Sequence, residues 1–157
     1  MRLWHEYLIP YLDNKRLLGQ HRECCALRGN GWGKNHSVVN YVFEHHVALL
    51  MQYHALILNE CSMRGFKIDE KWFDINYRGK NCSPFTEDEI NSAIYLEHLK
   101  SALESELDYY STKFIYPEHN PKYLLECLEN LRTKNVQLIN GKSLEELIIN
   151  LNLRGIV

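Results

Sequence analysis

Four groups of residues in this chain combine types and spacings that could do chemistry. The first is His21-Arg22-Glu23, set within one short helix of the chain's start at Met1-Arg2. A carboxylate can stabilise a cation or carry a proton. An α-amine has a reference pKa of about 7.7 to 8.0 against about 10.4 for lysine, so roughly a tenth of it is neutral and nucleophilic at pH 7. Taken alone, a glutamate beside Arg22 with Lys15 and Arg16 upstream is an ordinary solvated helix face. A chain terminus held next to Glu23 would turn the two into a nucleophile and its carboxylate partner.

The other groups are less specific. Eight histidines invite a metal reading, with His45, His46 and His54 expected on one long helix. Adjacent side chains diverge by about 100°, however, and residues 46 and 54 lie more than two turns apart. There is no HExxH pattern, so satisfied histidines and no bound metal are expected. The glycine-rich "RGNGWGKNH" lacks P-loop spacing, because no Ser or Thr follows Lys34. It reads either as a turn that offers Lys34 and His36 to a nucleic-acid backbone or as a connection with Trp32 packed down. Cys24 or Cys25 could act as a nucleophile with His21, but both fall on the apolar side of the helix, where buried thiols are expected.

These residues must be positioned by a scaffold of 157 residues, enough for one domain with a single core. Its 45% hydrophobic and 24% charged residues are ordinary for a globular protein, and no apolar run reaches the ~18 residues of a membrane span. Glu6, Tyr7, Pro10 and Asp13 interrupt any signal-peptide core, so a cytoplasmic monomer beginning near Met1 is expected. The five cysteines show no CxxC pair or regular spacing and read as reduced thiols. A net charge of −2 hides a gradient: Arg2, Lys15, Arg16, Arg22, Arg28 and Lys34 crowd the first 36 residues, whereas the stretch from Glu87 to Asp108 is acidic. A nucleic acid, if bound, meets the N-terminal face.

Helical periods and caps divide the chain. Asp13 and Asn14 cap a helix running to about Arg28, with Leu17, Leu18, His21, Cys24, Cys25 and Leu27 as its apolar stripe. A long helix is predicted from about Ser37 to Met63, ended by Gly65. Residues 66–83 read as an ordered connection packed by Phe66, Trp72 and Phe73. Thr86 with Glu89 is a capping box opening a helix to about Ser111. Asn120-Pro121 opens another to about Lys134, and Ser143 with Glu146 opens a last one to about Asn150. No strand or repeat is evident, so the fold is expected to be all-α, a compact bundle of about five helices.

On three matches the chain resembles the pyrimidine dimer DNA glycosylases with abasic-site lyase activity, of the phage endonuclease V type. They are arginine directly after the N-terminal residue (Met1-Arg2), "LLGQHRE" from Leu17 to Glu23, and "NECSMRGFKI" from Asn59 to Ile68. The resemblance spans residues 1–110, with 111–157 as an additional helical portion of the same domain.

That resemblance implies an N-terminal segment threaded between helices, so that the terminal amine sits beside the glutamate. It implies that the Met1 amine attacks C1′ of the damaged nucleotide in double-stranded DNA, displaces the base and forms an imine, after which elimination breaks the strand. Glu23 would stabilise the cation and move protons. Arg2 and Arg22 would hold phosphates, and Arg28, Lys34, His21 and His36 would line the DNA face, with no cofactor. Arg2 is too bulky for ordinary methionine removal, so Met1 is expected to remain. Two rival classes stay open on the residues alone: a non-catalytic nucleic-acid or protein interaction module on this scaffold, and an amine-nucleophile enzyme acting on something other than DNA.

Overall fold

The computed structural model describes residues 2–35, 38–92, 114–139 and 143–153. Expectations for Met1, for His36 and for the helix beyond residue 92 lie outside them. All regular structure among the described residues is helical. After an extended start, a 3-10 helix covers Glu6–Tyr11, followed by α1 (Asn14–Arg28), a second 3-10 turn (Asn40–Glu44), α2 (Val47–Met63), a third (Glu70–Phe73), α3 (Pro121–Thr133) and α4 (Leu144–Leu153).

The caps form as their sequences dictate. Asn120 Oδ1 accepts from the Tyr123 N–H at 2.9 Å with Pro121 in the first helical turn, and Ser143 Oγ accepts from Glu146 at 3.1 Å. Thr86 and Glu89 exchange bonds of 3.2 Å, opening a helical turn at 87–92. Gly65 takes φ +82°, and the Phe66 and Gly65 N–H groups close on Cys61 and Ser62 carbonyls, a Schellman end for α2.

Three expectations are corrected. The long helix does not start near Ser37: residues 40–44 form a tighter 3-10 turn, and His45 and His46 are extended before α2 opens at Val47. β-branched Val38, Val39 and Val42 disfavour the α-helix there. A distant partner holds the break open, since His45 Nε2 meets the Glu118 carboxylate at 2.8 Å. His45 and His46 therefore precede the helix that carries His54. The buried face of α1 is rotated from the predicted stripe, with Leu17, Gln20, Cys24, Leu27 and Arg28 fully buried and Leu18, His21 and Cys25 only partly so. Phe73 is 49% exposed rather than packed.

One apolar cluster unites the chain from Leu3 to Leu151, through Leu17, Leu50, Ile57, Leu128 and Leu147. Each fully buried leucine contributes about 2 kcal/mol by removal from water. All five cysteines are free thiols, with Cys24, Cys61 and Cys127 buried. Among the described residues no helix is long and apolar enough to cross a membrane.

Candidate active site at the chain's start

The extended segment 2–5 runs through the bundle without a sheet partner, so side chains must satisfy its backbone. Gln20, on the buried face of α1 and 1% exposed, supplies most of them. Its Nε2 donates to the Arg2 carbonyl at 2.9 Å and to Glu23 Oε2 at 2.7 Å. Its Oε1 accepts from the Trp4 N–H at 2.7 Å. The Tyr53 hydroxyl, from α2, lies 2.6 Å from the Trp4 carbonyl and 2.9 Å from Gln20 Oε1, one proton between two acceptors. The Arg2 backbone lies close enough to Glu23 to favour its charged form. Buried Leu3, Trp4 and Leu8 anchor the segment in the core.

Glu23 is half-buried, and desolvation pushes its carboxyl above the ordinary value. The charge of the chain's terminus, the Arg2 N–H, the Gln20 amide and Arg22 oppose that rise. A carboxylate so placed keeps its charge next to donors yet is readier to take a proton than one in water.

Around α1 the other expected residues divide. Arg22 is exposed on the outer face with Lys15, and Gly19 and Ala26 bracket it without bulk. Lys34 is exposed beyond Gly33, and Trp32 packs edge-on against Phe43 at 5.1 Å. Arg2 is partly buried, its guanidinium 5.8 Å from the Trp4 ring and 5.9 Å from the Tyr123 ring. Arg28 is not at the surface: it is 2% exposed. Its Nη1 donates to the Trp72 carbonyl at 3.0 Å, and its Nη2 to those of Asp74 and Tyr77 at 2.7 Å. It therefore clamps the 72–77 connection, with its guanidinium over the Trp72 ring at 5.2 Å.

His21 belongs to that inner arrangement. Arg28 Nη1 also lies 3.0 Å from His54 Nδ1, which must accept. The His54 proton then sits on Nε2 and points at His21 Nδ1, 2.9 Å away. With Cys25 these histidines form a cluster whose ligand atoms lie within 4.8 Å of one another, a grouping invisible in the sequence spacing. Its polarity is wrong for a cation: His54 Nε2 carries its proton, and behind His54 stands a guanidinium rather than the carboxylate or carbonyl that orients a metal-bound imidazole. Burial pushes the Cys25 thiol up to about 12 and Cys24 well above its usual value, which disfavours either as a nucleophile.

Comparison with known families finds a similarity over a little under half of the chain. Residues 1–74 match the pyrimidine dimer DNA glycosylase family. The match bears out the resemblance over the stretch holding Arg2, "LLGQHRE" and "NECSMRGFKI", and it includes α1, α2 and the Arg28-clamped turn. α3 and α4 lie beyond the residues matched to the pyrimidine dimer DNA glycosylases. No curated protein and no solved structure matches the chain.

Gln20, Tyr53 and Tyr123 were not singled out as site residues from sequence. For Gln20 a signal existed, a long polar side chain at the same helical face as Leu17, Cys24 and Leu27. For the others the signal is three-dimensional only.

Proposed function

We propose that this protein is a DNA glycosylase and abasic-site lyase acting on damaged pyrimidines in double-stranded DNA, with the Met1 α-amine as nucleophile. The observation that carries the reading is that Gln20 Nε2 donates both to the Arg2 carbonyl, at 2.9 Å, and to Glu23 Oε2, at 2.7 Å. Only three bonds separate the α-nitrogen of residue 1 from the Arg2 nitrogen, a span of about 4 Å at most. In this reading the residue 1 amine works beside Glu23.

In the reaction the neutral amine attacks C1′ and the damaged base leaves with the glycosidic electrons. Opening of the sugar ring gives a protonated imine. Loss of a C2′ proton to a base then expels the 3′ phosphate and breaks the strand. Glu23 faces the cationic carbon in the first step, and its raised carboxyl basicity suits the proton transfers that follow. Arg22, Lys15 and Lys34 offer exposed charge to phosphates, and Arg2 sits at the edge of the same region. Gly19 and Ala26 let a backbone approach α1 closely. Reaching C1′ requires the duplex to bend or extrude a nucleotide, costing a few kcal/mol that phosphate contacts must offset.

The test is borohydride trapping on duplexes carrying an abasic site or a pyrimidine dimer. The expected result is a covalent adduct mapped to the first residue, abolished by Glu23→Gln or by one added residue before Met1. Cleavage that survives both changes overturns the mechanism. Salt-sensitive binding without any adduct points instead to a non-catalytic module.

A further inference from the structure

We propose that Tyr123, on α3, is a positioning residue for the amine chemistry, so that a helix outside the matched residues 1–74 completes the site. The inference rests on the reading of the Met1 amine as nucleophile. In an extended chain the N–H and C=O of alternate residues point to opposite sides. The partners of segment 2–5 follow that rule. Arg2 and Trp4 turn their backbone groups towards Glu23, Gln20 and Tyr53 on α1 and α2. Leu3 turns its carbonyl the other way, to α3, where the Tyr123 hydroxyl donates to it at 2.5 Å.

Without α3 the segment is held along one edge only and can rock about it. With α3 it is gripped from both, and the Leu3 peptide cannot tilt without breaking its bond to Tyr123. The Arg2 guanidinium also lies over the Tyr123 ring, 5.9 Å from its centroid. Tyr123 thereby touches the two residues that follow the proposed nucleophile. Its own ring is fixed by stacking on His119, with centroids 4.9 Å apart and planes within 24°. Effective attack needs the reacting atoms held to within a fraction of an ångström, which is what a grip on the second and third residues provides.

Tyr123→Phe keeps the stacked ring and removes the hydroxyl. On abasic duplex DNA, with trapping and strand cleavage followed at saturation, kcat is expected to fall at least about tenfold while KM stays within about twofold. The pH midpoint of trapping should differ from that of the wild-type protein, because the surroundings of the amine change. Leu128→Ala, which opens a cavity in the apolar face of α3, lowers Tm but keeps kcat at temperatures well below the melt. Wild-type kcat and pH profile in Tyr123→Phe overturn the proposal, as does an equal loss of kcat in Leu128→Ala, which marks a purely structural role. Absence of a Met1 adduct in the wild-type protein overturns the amine reading itself and this role with it.

Discussion

The Gln20 side-chain amide donates to the Glu23 carboxylate at 2.7 Å, one helical turn away. The same Nε2 holds the Arg2 carbonyl, so one buried amide sets the carboxylate and the chain's start in a single frame. Two groups that look separate along the sequence, a helix glutamate and the Arg2 carbonyl, thus share one donor.

Gln20→Ala tests that frame. It leaves the Trp4 N–H and the Arg2 carbonyl without their partner in a buried place, each worth about 1 to 3 kcal/mol. A stability loss of about 3 kcal/mol in urea unfolding is expected. Gln20→Glu keeps an acceptor for Trp4 but sets a second carboxyl against Glu23, which raises the pKa of the pair. Its trapping activity on abasic DNA should fall at least tenfold, with full recovery ruling out the frame.

Acid unfolding follows from the buried histidines. Burial lowers His5 to about 4 and His119 to about 3, while burial with Arg28 and His21 lowers His54 to about 2. Unfolded histidines titrate near 6.5, so between pH 6.5 and about 4 the unfolded chain binds more protons at these sites than the folded one. Stability from these groups is fully present above pH 6.5 and is lost as pH falls through that window, by about 1.4 kcal/mol per unit for each group. Glu6 and Glu23, raised chiefly by burial, act in the opposite sense and flatten part of the slope. Urea melts from pH 7 to 4 should show the decline, and His119→Asn should make it shallower by about one proton.

What the sequence made legible was local. Asn120-Pro121, Ser143 with Glu146, and Gly65 act within a turn of themselves, and each works as its chemistry requires. The α2 boundary was misplaced because 3-10 and α-helical segments share nearly the same apolar spacing, and the break depends on Glu118, 73 residues from His45. Glu23 and the chain's start were paired through the family resemblance, since their residue types alone read as a charged helix face and a compact start. Tyr123 could not, since its bond to Leu3 spans 120 residues. Arg28 looked like surface charge because nothing local announces that the carbonyls of Trp72, Asp74 and Tyr77 will surround it.

Cys25 provides a check on the competing thiol chemistry. A thiol pushed up to about 12, mainly by burial, has about a thousandth of the thiolate of one at its ordinary value of 9.0. Alkylation of the folded protein by iodoacetamide at pH 7.5 should leave Cys25 unmodified for hours, and Cys25→Ser should retain DNA trapping. Rapid labelling of Cys25 accompanied by loss of activity would revive the thiol as a nucleophile.

Arg22 and Arg28 allow the proposed contact with DNA to be tested against a role in the fold. Arg22 is exposed on the outer face of α1, so Arg22→Gln should weaken binding to duplex DNA and lower the slope of log affinity against log salt by about one. Arg28 binds three backbone carbonyls and a histidine from a buried position, a geometry a lysine cannot reproduce. Arg28→Lys should cost about 2 to 4 kcal/mol and speed hydrogen exchange in residues 72–78, yet leave the salt slope unchanged. A reduced salt slope in Arg28→Lys would mean that the 72–77 connection opens on DNA and frees the guanidinium for phosphate. Measuring both variants across the same salt series decides between a fixed clamp and one that releases.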